Sequence, residues 1–149
     1  MEHNVEEKSH LRNFVLGLIR QRLDQVSRFT EFTVEASQDI KKTPKYDSIR
    51  EEVQDEIYQL DKQVYELRRM EKLMSKVVHS KMEEVQWGSV VITNKARFYI
   101  SVSLGEFHYK NDRFYAISTE SPIAKKMMGL HVGDDFSLNG IHQKIIEIF

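Results

Sequence analysis

The stretch from residue 9 to residue 36 constrains the fold most, because its apolar side chains recur at intervals of three to five positions. The recurring residues are Leu11, Phe14, Val15, Leu18, Ile19, Leu23, Val26, Phe29 and Phe32. This spacing predicts a helix with one apolar stripe. A helix of about 27 residues is roughly 40 Å long, which is too long for a small domain to cover. The stripe therefore needs a second helix as its partner.

The predicted partner helix runs from Pro44 to about Glu84. Its apolar residues keep the alternating three- and four-residue spacing of a coiled coil, although Arg50 and Glu71 interrupt it. These apolar residues are Tyr46, Val53, Ile57, Leu60, Val64, Leu67, Met74 and Val78. Charged residues occupy the other faces, as is typical of a solvated helix surface.

A short loop, residues 39–46, connects the two predicted helices. We expect the Thr43 side chain to cap the second helix and Pro44 to occupy its first position. A residue before proline avoids helical angles, so the first helix ends earlier. Helices joined by so short a loop are antiparallel neighbours. The sequence therefore predicts a helical hairpin with its tip near residues 37–46, and we expect the contacts of this tip to decide the function.

After Gln86 the apolar pattern changes to period two. Alternating and β-branched segments predict strands over residues 89–93, 97–103, 106–109, 113–118, 135–138 and 141–148. Ser121 and Pro122 are typical of a helix start and Gly129 of a helix end. Asn139-Gly140 indicates a hairpin turn. We expect an α+β chain with a hairpin domain at 1–86, a small antiparallel β domain with one short helix at 87–149, and a frayed tail at 1–8.

Composition excludes several classes of function. The net charge of −1 argues against binding nucleic acid mainly through its phosphates, and the absence of cysteine excludes disulfides and thiolate chemistry. No apolar run is long enough to span a membrane, and the first eight residues are too acidic for a signal peptide. We expect a cytoplasmic monomer with no membrane contact.

The sequence contains no self-contained catalytic or cofactor site. The histidines at 3, 10, 79, 108, 131 and 142 lack the spacing of a zinc site. The glycines are isolated at turn-like positions, so no phosphate-binding loop is present. No serine lies in a nucleophile elbow. We expect a protein that is not an enzyme and has no cofactor of its own.

Two groups of residues resemble the Gre family of bacterial transcript-cleavage and elongation factors. In the second half they are Ser121-Pro122-Ile123-Ala124, the apolar pair Met127-Met128, Gly129 and Gly133-Asp134. At the tip they are Asp39-Ile40-Lys41, Tyr46 and Arg50-Glu51. The likeness covers nearly the whole chain. It implies that the C-terminal domain is similar in fold to FK506-binding proteins.

The resemblance implies that RNA polymerase is the partner. The C-terminal domain would dock on the enzyme through Glu120, Ser121, Pro122 and Ile123, while the hairpin enters the secondary channel. The tip residues Asp39, Lys41, Lys42, Lys45 and Tyr46 would then lie near the polymerase active centre. Contact with the transcript or DNA would be indirect.

The tip departs from the family at one position. In the family, two acidic residues three apart help to hold a Mg²⁺ ion of the polymerase, and Mg²⁺ prefers oxygen ligands. Asp39 matches the first position, but Lys42 occupies the second. An ammonium repels the ion and supplies no oxygen. The expected function is therefore to modulate elongation, pausing or initiation, with weak or absent stimulation of cleavage.

Three alternatives remain open. Asp39 could still recruit the shared Mg²⁺ with help from Asp47 or Glu35, which would make the chain an active cleavage factor. A peptidyl-prolyl isomerase or chaperone module would need an aromatic pocket, and Trp87, the single tryptophan, lies at the domain junction. A coiled-coil adaptor that binds another helix would leave apolar positions exposed along the hairpin.

Overall fold

The structure is a computed structural model that describes residues 5–149. The contacts between these residues define two compact units. The first, here called the sheet unit, contains residues 5–16 and 72–149. The second, the helical unit, contains residues 17–71. Helix α1 (Val5–Ser37) and helix α2 (Asp47–Lys76) each contribute residues to both units. These two units are defined by contacts between residues. The two domains predicted from the sequence, 1–86 and 87–149, are consecutive segments of the chain, and that division stays a prediction.

The helical unit confirms the predicted hairpin. Arg20 Nε lies 3.1 Å from Glu71 Oε2 near the base of the unit, and Arg50 donates to the Lys41 carbonyl at the opposite end. The two segments therefore run antiparallel. The residues buried within this unit are Ile19, Thr33, Leu60 and Leu67.

Phe29 and Phe32 were predicted to lie in the helix seam, and this was wrong. Their side chains are 49% and 65% exposed, and their rings stack on each other at 6.4 Å. The buried position in this part of α1 is Thr33, two turns after Val26. The Thr33 hydroxyl donates to the Phe29 carbonyl at 2.9 Å, so it is buried without losing its hydrogen bond. Apolar spacing alone did not reveal this threonine.

Both helices differ in length from the prediction. Residues 5–8 of the expected tail belong to α1, while residues 1–4 lie outside the described part of the chain. Helix α2 ends at Lys76 instead of near Glu84. Arg12 donates to the Val77 carbonyl at 3.1 Å, which satisfies a backbone group beyond the helix end. Because the helix stops there, Val77 is fully buried and the predicted seam residue Val78 is 50% exposed.

The sheet has six strands in the order β3-β4-β2-β1-β6-β5. Their bounds are β1 Val90–Thr93, β2 Arg97–Ile100, β3 Gly105–Tyr109, β4 Asp112–Ile117, β5 Asp135–Leu138 and β6 Ile141–Ile148. The pairs are antiparallel except β2 and β4, which are parallel with Tyr99 opposite Ala116. The α+β class is thereby confirmed, with a sheet that is mostly rather than entirely antiparallel. The parallel pair arises because β3 forms the edge and β4 returns between it and β2.

Two tight turns close the hairpins of the sheet. Asn139 and Gly140 have φ angles of 53° and 79°, which confirms the turn expected from Asn-Gly. Lys110 and Asn111 connect β3 to β4 with φ angles of 49° and 69°. Positive φ at both central residues matches the twist of the flanking strands.

The core of the sheet unit lies on one face of the sheet, beneath helix α3 (Pro122–Met127). The buried members of this cluster are Met82, Val85, Val91, Phe98, Ile100, Ala124, Met127, Phe136, Ile145 and Ile148. Tyr99 points to the opposite face because strand side chains alternate. Phe14 of α1 packs against Phe107 and Tyr109, with ring centroids 6.2 and 5.0 Å away. Among residues 5–149, no helix is both long and apolar enough to cross a membrane.

Candidate functional site at the hairpin tip

The tip begins where α1 tightens and ends. The amides of Gln38, Asp39 and Ile40 each donate to the carbonyl three residues earlier, at 3.2 to 3.3 Å. The Ser37 hydroxyl donates to the Val34 carbonyl at 2.6 Å. Carbonyls at the helix end are thus satisfied within the last turns. Residues 40–43 that follow form neither helix nor strand.

Thr43 and Pro44 start the second helical segment differently from the prediction. Pro44 begins a short 3-10 helix, Pro44–Tyr46, and α2 follows from Asp47. Thr43 is extended, with φ −119° and ψ 154°, as a residue before proline should be. Its side chain makes no capping hydrogen bond, so the expected Thr43 cap was wrong. The Thr43 carbonyl accepts from the Tyr46 amide at 3.0 Å instead.

Arg50 holds the loop to the start of α2. Its Nη1 donates to the carbonyl of Lys41 at 2.7 Å and to that of Thr43 at 3.3 Å. Its Nη2 donates to the Asp47 carboxylate. A planar guanidinium can make these bonds in one fixed arrangement, whereas an ammonium could not. Arg50, which interrupts the predicted apolar stripe, therefore fixes the loop, and we call this residue the clamp.

A cavity of about 270 Å³ lies beside this clamp. Its lining residues include two that carry cationic groups, Lys42 and Arg50, and two that carry side-chain amides, Gln38 and Gln54. Ile40 and Val53 add apolar surface. We call this cavity the tip groove. Of its lining residues, the predicted tip set contained only Lys42, because helical periodicity does not show which loop residues meet.

The carboxylates near the tip differ in availability. Asp47 is paired with Arg50, so it is not free to help Asp39 bind a metal ion. Asp39 is exposed, and no hydrogen bond or ion pair engages its carboxylate within residues 5–149. No group of three His, Cys, Asp or Glu side chains in that range is placed to hold a metal ion. These residues do not fit a Mg²⁺ site of the chain's own.

The remaining predicted tip residues are Lys41, Lys45 and Tyr46. The Lys41 and Lys45 side chains are exposed, and the Lys45 ammonium lies 5.7 Å from the centroid of the half-buried Tyr46 ring. That distance permits a cation–π contact. The tip therefore displays several positive charges on a loop with a defined shape.

The predicted docking residues 120–123 surround the start of α3. Ser121 caps the helix, since its hydroxyl accepts from the Ala124 amide at 3.1 Å. Pro122 is exposed at the first helical turn, and the half-buried Ile123 packs against the core. Glu120 pairs with Lys125 at 3.5 Å. Because the cap uses the Ala124 amide, the exposed Pro122 ring and the Glu120 carboxylate are the groups that this corner displays.

Two ionisable side chains of the sheet unit, Lys8 and Tyr99, are buried. Lys8 is 1% exposed, and its ammonium donates to the Ser80 carbonyl at 2.7 Å. Burial lowers the pKa of Lys8 from its ordinary value of 10.5 to about 8. Burial also raises the pKa of Tyr99, an effect that the nearby Arg12 charge opposes. Neither burial was predicted, because Lys8 falls in the segment expected to be frayed and Tyr99 lies in a strand whose buried face was not assigned.

No protein-family model matches the chain, and no curated protein matches it either. Among solved structures it is similar to the GreA factor homolog 1 (Gfh1) protein of Thermus thermophilus, with 21% identity and a TM-score of 0.36. That alignment covers 98% of this chain and 94% of the other. A second structure, of the transcription factor Gfh1, is 20% identical with a TM-score of 0.32, over 93% of this chain and 91% of the other. At these values the function has to be argued from the residues of this chain.

Proposed function

We propose that this chain is a Gre-like transcription factor that binds RNA polymerase and inserts its hairpin tip into the secondary channel. The observation that carries the proposal is the tip itself. It projects an exposed carboxylate, Asp39, and three exposed lysines from a loop that Arg50 fixes in one arrangement. A fixed loop loses little conformational freedom when it is placed near another site. Such a tip suits a function in which position matters more than chemistry.

The same residues support modulation of elongation, pausing or initiation without strong cleavage. Lys42 stands where the Gre resemblance implies a second carboxylate, and its ammonium opposes a divalent cation nearby. Asp47 is paired with Arg50 and does not replace the missing ligand. Asp39 is also not one helical turn from Lys42, because residues 40–43 are not helical. One carboxylate alone gives weak assistance to a Mg²⁺ ion.

Docking through the sheet unit completes the proposal. The corner formed by Glu120, Ser121, Pro122 and Ile123 is held by the helix cap and by the core contact of Ile123. In this proposal Pro122 supplies a rigid apolar contact and Glu120 an exposed charge for the polymerase surface. The protein acts as a cytoplasmic monomer and is not itself an enzyme.

Purified chain mixed with bacterial RNA polymerase tests the proposal. We expect co-elution of the chain with the polymerase and loss of binding for Glu120→Lys combined with Pro122→Ala, the two residues that this corner displays, provided that circular dichroism shows a folded variant. In stalled complexes we expect little transcript cleavage with the unmodified chain and more with Lys42→Glu. Asp39→Asn in the Lys42→Glu background should remove that gain. Strong cleavage by the unmodified chain would support the active-factor alternative, and absence of polymerase binding would reject the whole proposal.

One observation favours a coiled-coil adaptor as the second candidate. Phe29, Phe32, Tyr58 and Tyr65 are between 49% and 66% exposed along the helical unit. A partner helix could cover such side chains. If the chain fails to bind polymerase, replacing Phe29 and Phe32 with Ser tests this candidate, since an adaptor would lose its partner and a polymerase factor anchored elsewhere would not.

A further inference from the structure

The tip groove carries a positive charge that its own residues do not neutralise. Two of its lining residues, Lys42 and Arg50, are cationic, and none is acidic. Asp47 offsets part of the Arg50 charge. Within residues 5–149, no hydrogen bond or ion pair engages the Lys42 ammonium. An anion in the groove would therefore meet an available cation.

The residues that line the groove also carry hydrogen-bond donors, of which those of Arg50 are held in place. Arg50 has five N–H donors, and its contacts with two carbonyls and Asp47 account for three bonds. The side-chain amides of Gln38 and Gln54 can donate as well. Because Arg50 is already fixed by the loop, little rotamer freedom is lost when an anion binds. Charge and donors converge on one small space.

The volume of the tip groove limits the size of the ligand that it can hold. Its volume of about 270 Å³ lies just below the range of roughly 300–1,000 Å³ typical of sites that enclose a whole small molecule. A pair of phosphate groups fits such a space, while an attached nucleoside would extend along the open side. Several negative charges on one ligand also match more than one cationic wall residue.

We propose that the tip groove binds the di- or triphosphate group of a free nucleotide. Lys42 provides the main charge contact and Arg50 provides fixed donors, while Gln38 and Gln54 complete the polar wall. The inference goes beyond the proposed function, because it concerns the chain alone and needs no polymerase.

The test is isothermal titration of magnesium-free pyrophosphate into the full chain at constant ionic strength. We expect saturable binding, with Lys42→Gln weakening it about tenfold, the loss typical of one charged hydrogen bond. Lys62→Gln makes the same charge change on the exposed surface of α2 and serves as the matched control. Lys45 does not line the groove, so Lys45→Gln measures the effect of removing one positive charge elsewhere on the tip. We expect this variant to weaken binding no more than about twofold. Thermal melts check that each variant is folded.

Titrations with ATP and with adenosine identify the part of the nucleotide that is recognised. Affinities for ATP and pyrophosphate within about threefold of each other, with no adenosine binding, support phosphate recognition. The proposal is overturned if pyrophosphate does not bind, if Lys45→Gln weakens binding as much as Lys42→Gln, or if adenosine binds as well as ATP. None of these results depends on polymerase, so failure here is distinct from failure of the proposed function.

Discussion

The sheet unit and the helical unit bury their apolar side chains to different depths. In the sheet unit Ile100 and Met127 are completely inaccessible and belong to a cluster shared by strands and a helix. In the helical unit Ile19 is also inaccessible, but Leu60 and Leu67 keep 8% and 6% of their surface, and the other apolar positions of the unit are half-buried or exposed. A cluster surrounded on all sides has more packing to lose than a seam with solvent along both edges. The contrast indicates that stability resides mainly in the sheet unit, while the helical unit is a thinner support for the tip.

Truncating one buried residue in each unit should give the largest change in the free energy of unfolding. We expect Ile100→Ala to cost about 3–5 kcal/mol and Leu60→Ala about 2–3 kcal/mol, because the cavity left at Ile100 is fully enclosed. Chemical denaturation separates the two effects, since Trp87 fluorescence reports on the sheet unit and far-ultraviolet circular dichroism reports mainly on helix. Glu56→Ala, on an exposed helix face, is the control and should change little. Equal costs at Ile100 and Leu60 would remove the contrast between the units.

The buried Lys8 should make the stability of the sheet unit depend on pH. Because the pKa of Lys8 is about 8 in the folded chain and 10.5 when exposed, the unfolded chain binds more protons between those values. Stability should therefore rise as pH increases from about 8 to about 10.5. The expected gain is at most about 3.5 kcal/mol, since the pKa falls from 10.5 to about 8 and each unit of pKa corresponds to about 1.4 kcal/mol. Denaturation at several pH values measures it.

Lys8→Met provides the comparison for that slope. The thioether side chain fills a similar volume without a charge, so we expect higher stability at pH 7 and a smaller rise between pH 8 and 10.5. The Ser80 carbonyl then loses its donor, which offsets part of the gain. An unchanged slope in Lys8→Met would show that other groups cause the pH dependence.

The smallest expected effect on stability is at the clamp of the tip. Arg50→Ala should cost about 1 kcal/mol overall, because its bonds are partly exposed, yet it should open the loop. We expect about fivefold faster trypsin cleavage after Lys41 and Lys42, measured by mass spectrometry. Arg50→Lys keeps the charge without the planar fork and should resemble Arg50→Ala. Cleavage of Arg50→Lys at the rate of the unmodified chain would show that charge alone holds the loop.

The parts of the fold that follow local patterns were predictable from the sequence. Long apolar stripes gave the two helices, and Asn139-Gly140 gave its hairpin turn with the expected positive φ angles. Ser121 and Pro122 marked the start of α3 correctly. Each of these signals acts over a few residues, where steric and capping preferences dominate.

Apart from the Thr43 cap, the errors arose where distant residues decide the outcome. The parallel pairing of β2 with β4 depends on β3 occupying the edge, which no local pattern shows. Thr33 is buried in the helical unit because its hydroxyl bonds to its own helix, whereas the more apolar Phe32 is exposed. At the tip groove, Lys42 was predicted as a site residue. Gln38, Gln54 and Arg50 line the same groove, and this depends on a loop of irregular backbone that no local pattern shows.

The discontinuity of the sheet unit has a consequence for how the chain is made. Residues 5–16 leave the ribosome before the rest of the described chain, yet they share a unit with residues 72–149. At a synthesis rate of about 5–20 residues per second, Phe14 waits roughly 5–20 s for its aromatic neighbours Phe107 and Tyr109. The intervening residues 17–71 form a unit of local contacts that can pair during this delay. The growing chain thus acquires the contacts of the helical unit first and those of the sheet unit last.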